Sequence, residues 1–172
     1  MPGAEGTQDG RLTDVLSTPV YGETLTVLHV APAGGADQVA AVAATQSAAG
    51  WSSTVVDAAA LAASPLEGVD VVVLWGLTAA ESRDAVAGRT PTVVVFDEDD
   101  VRRVLRRPDR WVREFRRTPH TNLLLVPAGL AERYTRTGPP VPLAHRPADL
   151  PAAAAVELLS GWLARAYAYG RR

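Results

Sequence analysis

Four short runs dominated by apolar residues recur along the chain, and they constrain its fold more than any other feature. They occupy residues 25–30, 69–74, 92–96 and 122–126. A run that is apolar at nearly every position is typical of a strand buried on both faces, as in a parallel sheet covered by helices. Because segments of helical character separate the runs, we predict an α/β fold with a single three-layer Rossmann-like domain. Its sheet should be mainly parallel, with about five or six strands.

The segments between these runs supply the other predicted elements. The sequence STVVD at residues 53–57 predicts the second strand, and residues 78–87 have helical spacing and are followed by a glycine. Pro108 divides an arginine-rich segment into two short helices, and residues 129–136 form another. A last helix, ending near Tyr169, carries more apolar side chains than one buried face requires.

Length and composition favour one soluble domain flanked by two extensions. The 172 residues suffice for one core. We expect an N-terminal arm at residues 1–24, the domain at 25–149 and a C-terminal helix at 150–172. No apolar run is long enough to span a membrane and no signal peptide is evident, so we expect a cytoplasmic protein. The lack of cysteine excludes disulfides and thiolate metal sites, and the all-arginine basic set is typical of a high-GC bacterium.

A glycine turn after the first strand is the first candidate site. Gly34 and Gly35 separate that strand from an Ala-rich helix, whose first turn has unpaired N–H groups that favour an anion or a polar ligand. The turn lacks the third glycine of a dinucleotide fingerprint and the lysine of a phosphate-binding loop. A tight turn would need glycine for its geometry alone, so a ligand and a purely structural role both stay open.

Ligands of parallel α/β sheets gather at the carboxyl ends of the strands, where the strand order reverses. We therefore expect a site built from the loops that follow strands one, three, four and five. The candidate ligand-binding residues are Gly34, Gly35, Asp37, Trp75, Gly76 and Asp97. A sugar or a phosphate is the predicted type of ligand, and no cofactor is predicted.

Several stretches resemble one family in the same order. The string VLHVAPAGGADQVAAVAATQSAAGWSSTVVD is similar to the opening of the family 4-like glycosyltransferases of the GT-B class, which reads VLHV-P-GGAE and then LA-GHEVTVV. DVVVLWG matches DVVHAHG, TPTVVVFDE matches PVVVTVHD, and TNLLLVPAGLAERY matches D-VIAVS--LAERL. PLAHRPAD takes the place of VIPNGVD. The resemblance covers residues 25–149 and implies the acceptor-side Rossmann-like domain of these enzymes.

Departures from the family pattern bear on catalysis. The resemblance implies a second domain that binds the nucleotide-sugar donor, and the sequence ends where that domain would start. Family histidines after the third and fourth strands are replaced by Val73, Trp75 and Phe96. Valine and phenylalanine neither transfer protons nor hydrogen-bond a sugar. We therefore expect no catalysis by this chain alone; if it is an enzyme, it is a glycosyltransferase.

Charged clusters give two further candidates. Residues 97–100 are all acidic and are expected to cap the following helix and pair with its arginines, although oxygen-ligand metals would also suit them. Residues 102–117 contain eight arginines and two carboxylates, which favours either a solvated face or binding to phosphates, anionic lipid or an acidic partner. The candidate anion- or partner-binding residues are Arg102, Arg103, Arg106, Arg107, Arg113, Arg116 and Arg117.

The three histidines are not spaced as a metal site, and none is predicted. His29 is expected to be a core or sheet residue, and His145 is placed in a late loop. No G-x-S-x-G sequence indicates a serine nucleophile. Nucleic acid is a weak choice of partner, because aromatic residues are few in the basic segment and the total charge is −2.

Two functions remain. The first is a catalytically degenerate, glycosyltransferase-like binding or assembly subunit, which forms a homo-oligomer or a larger assembly through its arm and its last helix. The candidate interface residues are Leu158, Trp162 and Tyr169, because a broad apolar surface usually marks an interface. The alternative is the acceptor-binding half of a split glycosyltransferase whose nucleotide-sugar donor is bound by a partner chain. We prefer the first.

Overall fold

A computed structural model describes residues 24–32, 34–76, 83–86, 90–110, 123–137, 143–146 and 152–170. Its centre is a six-stranded sheet in which every neighbouring pair is parallel. The strands are β1 (Thr26–Ala31), β2 (Ser52–Asp57), β3 (Val71–Trp75), β4 (Thr92–Val95), β5 (Leu123–Pro127) and β6 (Leu143–Arg146). They lie in the order β2-β1-β3-β4-β5-β6. The prediction of an α/β domain with a parallel sheet is confirmed.

Helices cover both faces of the sheet. They are α1 (Ala36–Ala48), α2 (Glu98–Arg106), α3 (Ala128–Thr137) and α4 (Ala152–Gly170), and two short 3₁₀ turns occupy Leu61–Ala63 and Arg83–Val86. Each of α1, α2 and α3 follows a strand after a very short connection or none, as expected when a helix returns the chain for the next parallel strand. The result is the three-layer arrangement that the sequence predicted.

Two clusters of buried side chains fill the spaces between the layers. The first face of the sheet packs against α2, α3 and the 3₁₀ turns, with Phe96, Val101 and Tyr134 among its buried residues. The second face packs against α1 and α4, and Leu159 and Leu163 of α4 are buried there. Alternate residues of each strand point to opposite faces, which explains why the central strands β1, β3, β4 and β5 are apolar at most positions rather than only at every second one.

The last strand corrects the sequence interpretation. Residues 143–146 follow a proline-rich stretch and were expected to form a loop, but they pair in parallel with β5, so His145 lies in a strand. Four residues are too few for the hydrophobic pattern to be recognised. Of the helix predicted at residues 78–87, the structure describes residues 83–86, which form a 3₁₀ turn. The predicted arm lies outside the described residues except for Thr24.

Candidate functional site

The strand order places one reversal point in the sheet, between β1 and β3. From β1 the chain moves to β2 on one side, then returns past β1 to β3 on the other side and continues in that direction. The connections that leave β1 and β3 therefore diverge at the carboxyl edge, which is where parallel α/β sheets bind ligands. Gly34 and Gly35 follow β1 here, and Trp75 and Gly76 lie at the end of β3. We call this region the switch-point crevice.

Loops from three strands meet at the switch-point crevice. A Cβ atom built on Gly76 would lie 3.3 Å from Asp100 Oδ2, at the start of α2 after β4, and 3.8 Å from Pro32 Cβ, after β1. Gly76 has a positive φ of 81°, a conformation that favours glycine. The sequence had predicted that the loops after these strands would come together, and the structure brings them into contact.

The turn that enters α1 is built from glycine. Gly34 has a φ of +77°, and Gly35 donates its N–H to the Pro32 carbonyl at 3.0 Å. Gly35 is also the N-cap of α1, and no side chain caps the helix there. The candidate Asp37 lies exposed in the first turn, where a negative charge suits the positive end of the helix dipole.

The acidic residues after β4 are engaged with α2. Asp97 Oδ1 accepts the Asp100 N–H at 2.8 Å, and the Asp97 N–H donates to Asp100 Oδ2 at 3.1 Å, so the two residues form a capping box. Arg102 pairs with Glu98 at 2.9 Å and approaches Asp99 at 3.7 Å. The prediction that this cluster caps the helix and pairs with an arginine is confirmed.

A buried hydrogen-bonded network lies directly beside the switch-point crevice. The Trp75 indole Nε1–H donates to His29 Nδ1 at 3.1 Å, and His29 Nε2 lies 2.7 Å from Gln46 Oε1. Gln46 Oε1 also accepts from the Ser53 hydroxyl at 2.9 Å, and Gln46 Nε2 donates to Ser160 Oγ at 3.1 Å. Five side chains from β1, β2, β3, α1 and α4 are thereby joined.

The network fixes the protonation of His29. An indole N–H only donates, so His29 Nδ1 must accept and the ring hydrogen must be on Nε2. That hydrogen then points to the Gln46 oxygen. Burial lowers the pKa of His29 from 6.5, and the hydrogen bond to Gln46 opposes this effect in part. His29 is therefore a neutral residue of the core, as the sequence predicted, with both nitrogens occupied.

The remaining candidates are distributed over the two helical layers. Arg102, Arg103, Arg106 and Arg107 are exposed on or just after α2, while Arg113, Arg116 and Arg117 lie outside the described residues. Trp162 on α4 is partly buried against the second cluster, with the Arg165 guanidinium 5.3 Å from its ring centroid. Leu158 and Tyr169 belong to the same helix. Arg102, Arg103 and Arg106 thus belong to α2, which covers the face of the sheet opposite to α4.

Sequence reasoning missed Gln46, Ser53 and Ser160. Gln46 is a polar residue in an otherwise Ala-rich helix, and it is almost fully buried. Since buried polar groups need partners, a glutamine on the sheet side of α1 and a histidine inside a strand were signals of a polar cluster. The pairing itself depended on the fold, because Gln46 and Ser160 are 114 residues apart.

No family model matches the chain, and no curated protein or solved structure is significantly similar to it. Among the helices that the structure describes, none has the length and apolar character needed to cross a bilayer. Within the same residues, no cluster of three or more His, Asp or Glu side chains is arranged to hold a metal ion.

Proposed function

We propose that this chain is a non-catalytic binding subunit that takes up a small sugar or phosphate ligand at the switch-point crevice. One observation supports the proposal most: the ionisable groups near the crevice are already engaged in hydrogen bonds that stabilise the fold. His29 has both nitrogens hydrogen-bonded inside the core, and Asp97 and Asp100 form the capping box of α2. A general acid or base has to exchange a proton with its substrate, and groups held in this way are poorly placed for it.

Ligand binding is supported by the strand order and the backbone chemistry at the switch-point crevice. The strand order reverses there, and loops from three strands meet around Gly76. Gly35 is the N-cap of α1 and has no side chain, so it supplies no side-chain acceptor for the first N–H groups of the helix. Backbone N–H groups at a helix start bind phosphate oxygens or sugar hydroxyls.

The resemblance to the acceptor-side domain of GT-B glycosyltransferases favours a sugar-containing ligand. It also keeps the split-enzyme alternative as a second proposal, in which a partner chain binds the nucleotide-sugar donor. The same open start of α1 favours both, because either function needs a polar ligand held after β1. The two proposals differ in catalysis: the split enzyme would transfer a sugar when its partner chain is present, whereas the binding subunit would not.

Ligand binding is tested by following backbone amide resonances while inorganic phosphate, glucose 1-phosphate and UDP-glucose are added separately. We expect shifts at Gly34, Gly35 and Gly76 with at least one probe, together with a rise in melting temperature, because a ligand of the native state stabilises it by mass action. If none of the three probes moves these resonances at millimolar concentration, binding at the crevice is refuted.

A matched pair of variants locates the ligand. Gly34 and Gly68 both have positive φ, 77° and 76°, and a Cβ added to either meets no atom of the described residues within 4 Å. They differ in place, since Gly68 precedes β3 at the opposite edge of the sheet. Gly34→Ala should weaken binding and Gly68→Ala should not; equal affinities in the two variants would place the ligand elsewhere.

Assembly through α4 is part of the proposal and needs a separate test. Leu159, Leu163 and Ala166 already pack against the sheet, so a partner would contact the part of the helix around Trp162. The variant Trp162→Gln, compared with Glu157→Gln on an exposed position of the same helix, should reduce the mass measured by light scattering. A wild-type protein that is monomeric at high micromolar concentration would refute homo-oligomer formation.

A further inference from the structure

Trp75 occupies a position between the buried network and the switch-point crevice. It is the last residue of β3, and the next residue, Gly76, contacts the loops after β1 and β4. Its ring is tilted by 35° from the His29 ring, with 6.1 Å between the ring centroids. Among the described residues, the indole N–H donates to one acceptor, His29 Nδ1. The orientation of this large side chain therefore depends on the lone pair of that nitrogen.

Protonation of His29 would remove this lone pair. In the imidazolium form both nitrogens carry hydrogen and donate, so Nδ1–H would face the indole N–H and neither group could accept. The Nε2–H bond to Gln46 would be retained, because Gln46 presents its oxygen there. Only the bond to Trp75 is lost on uptake of the proton.

We propose that His29 is a proton-controlled latch that holds Trp75 at the edge of the switch-point crevice and releases its indole when Nδ1 takes up a proton from solvent. Gln46, Ser53 and Ser160 are positioning residues in this device, since they keep the ring oriented with Nδ1 toward Trp75. The latch rests on the described hydrogen bonds alone and does not require a ligand in the crevice.

The charged residues near His29 are not its hydrogen-bond partners, so the protonation of its ring depends on burial and on the neutral network. The elements packed against His29 carry Asp57 on β2, Asp37 at the start of α1, and Glu157, Arg165, Tyr167 and Tyr169 on α4; β3 carries no charged residue. Asp57 accepts the Ala60 N–H at 2.8 Å, and Asp37 and Glu157 are exposed. Within the described part of the chain, the hydrogen-bond partners of the His29 ring are the neutral side chains of Gln46 and Trp75.

The direction of the pH response follows from burial. Desolvation lowers the pKa of His29 from 6.5, so the bond to Trp75 is intact at neutral pH. The midpoint of release should therefore lie below pH 6.5, and release should follow protonation of the His29 ring itself. Trp75 should move while the rest of the domain stays folded.

The experiment follows the indole N–H resonances of the full chain during acidification, with the Trp75 signal assigned by its absence in Trp75→Phe. We expect that signal to shift or broaden with a midpoint below pH 6.5, in step with the His29 ring resonances. The signals of Trp51 and Trp162 should not change over that range. Simultaneous loss of all indole signals would mean global unfolding and would overturn the latch.

Two variants separate the latch from a purely structural role. His29→Gln has no group that titrates in this range, so the Trp75 transition should disappear. Gln46→Glu is nearly isosteric, and its carboxylate can accept from His29, Ser53 and Ser160 while stabilising the imidazolium, so the midpoint should move to higher pH. An unchanged midpoint in Gln46→Glu would refute the proposal, even if His29→Gln fails to fold.

Discussion

The contact between Gly76 and Asp100 predicts that a single methyl group at position 76 weakens two elements at once. Gly76→Ala places an L residue at a φ of +81°, and its Cβ would lie 3.3 Å from Asp100 Oδ2. The left-handed conformation costs about 1–2 kcal/mol for such a residue. The smaller entropy of the unfolded chain offsets about 0.4–1 kcal/mol of that cost.

A second cost arises because Asp100 has to move. Its Oδ2 accepts the Asp97 N–H in the capping box of α2, and loss of that hydrogen bond costs about 0.5–1.5 kcal/mol. The total decrease in the free energy of unfolding should be about 0.5–3 kcal/mol. For a chain of this size, each 1 kcal/mol corresponds to about 2–4 °C in melting temperature.

Urea denaturation followed by circular dichroism measures this change, and Gly68→Ala is the matched control. Gly68 has a φ of +76° with no atom of the described chain within 4 Å of its added Cβ, so this variant has the backbone cost alone. We expect Gly76→Ala to lose about 0.5–1.5 kcal/mol more stability than Gly68→Ala. Equal losses would show that Asp100 does not restrict position 76, and the reasoning about the meeting of the loops would be wrong.

Three other predictions test the core. Tyr134→Phe should raise the free energy of unfolding by about 1 kcal/mol, because the hydroxyl is buried and has no hydrogen-bond partner among the described residues; a loss of similar size would mean that it has one. Leu163→Ala should cost about 2–5 kcal/mol in thermal or urea unfolding, since the side chain is fully buried, whereas the exposed Glu157→Ala should stay within about 0.5 kcal/mol. Stability should also fall as the pH decreases from 6.5 toward the lower pKa of native His29, because the unfolded chain takes up the proton first. Urea midpoints measured across that range should decline less in His29→Gln than in the wild type.

The features that the sequence predicted are those encoded by neighbouring residues. The apolar runs identified four of the six strands, since burial on both faces leaves a continuous pattern within a few positions, and the short sequence STVVD indicated β2. Asp97 and Asp100 are three residues apart, so their capping box could be inferred from spacing. The switch-point crevice was predictable as well, because the carboxyl ends of parallel strands must lie along one edge.

The features that the sequence did not predict depend on contacts between distant segments. His29 was recognised as a core residue, but its partners Gln46 and Trp75 are 17 and 46 residues away. The strand β6 is short and polar at His145 and Arg146, so only its pairing with β5 identifies it. In both cases, tertiary contacts determine a structure that the local pattern leaves open.

The last helix shows why an apolar surplus in a sequence is a weak guide to an interface. Leu159, Leu163 and Ala166 of α4 are buried on the sheet face that the helix covers at β3 and β4, and Ser160 bonds to Gln46 of α1, so one side of the helix belongs to the domain core. Truncation of the chain at residue 150 would expose that sheet face whether or not the protein assembles. Insolubility of the truncated protein would therefore not be evidence for an interface. A test of assembly has to keep Leu159, Leu163 and Ala166 intact and change the partly exposed Trp162, and it has to measure the stability of the variant as well, because Trp162 also packs against the second cluster.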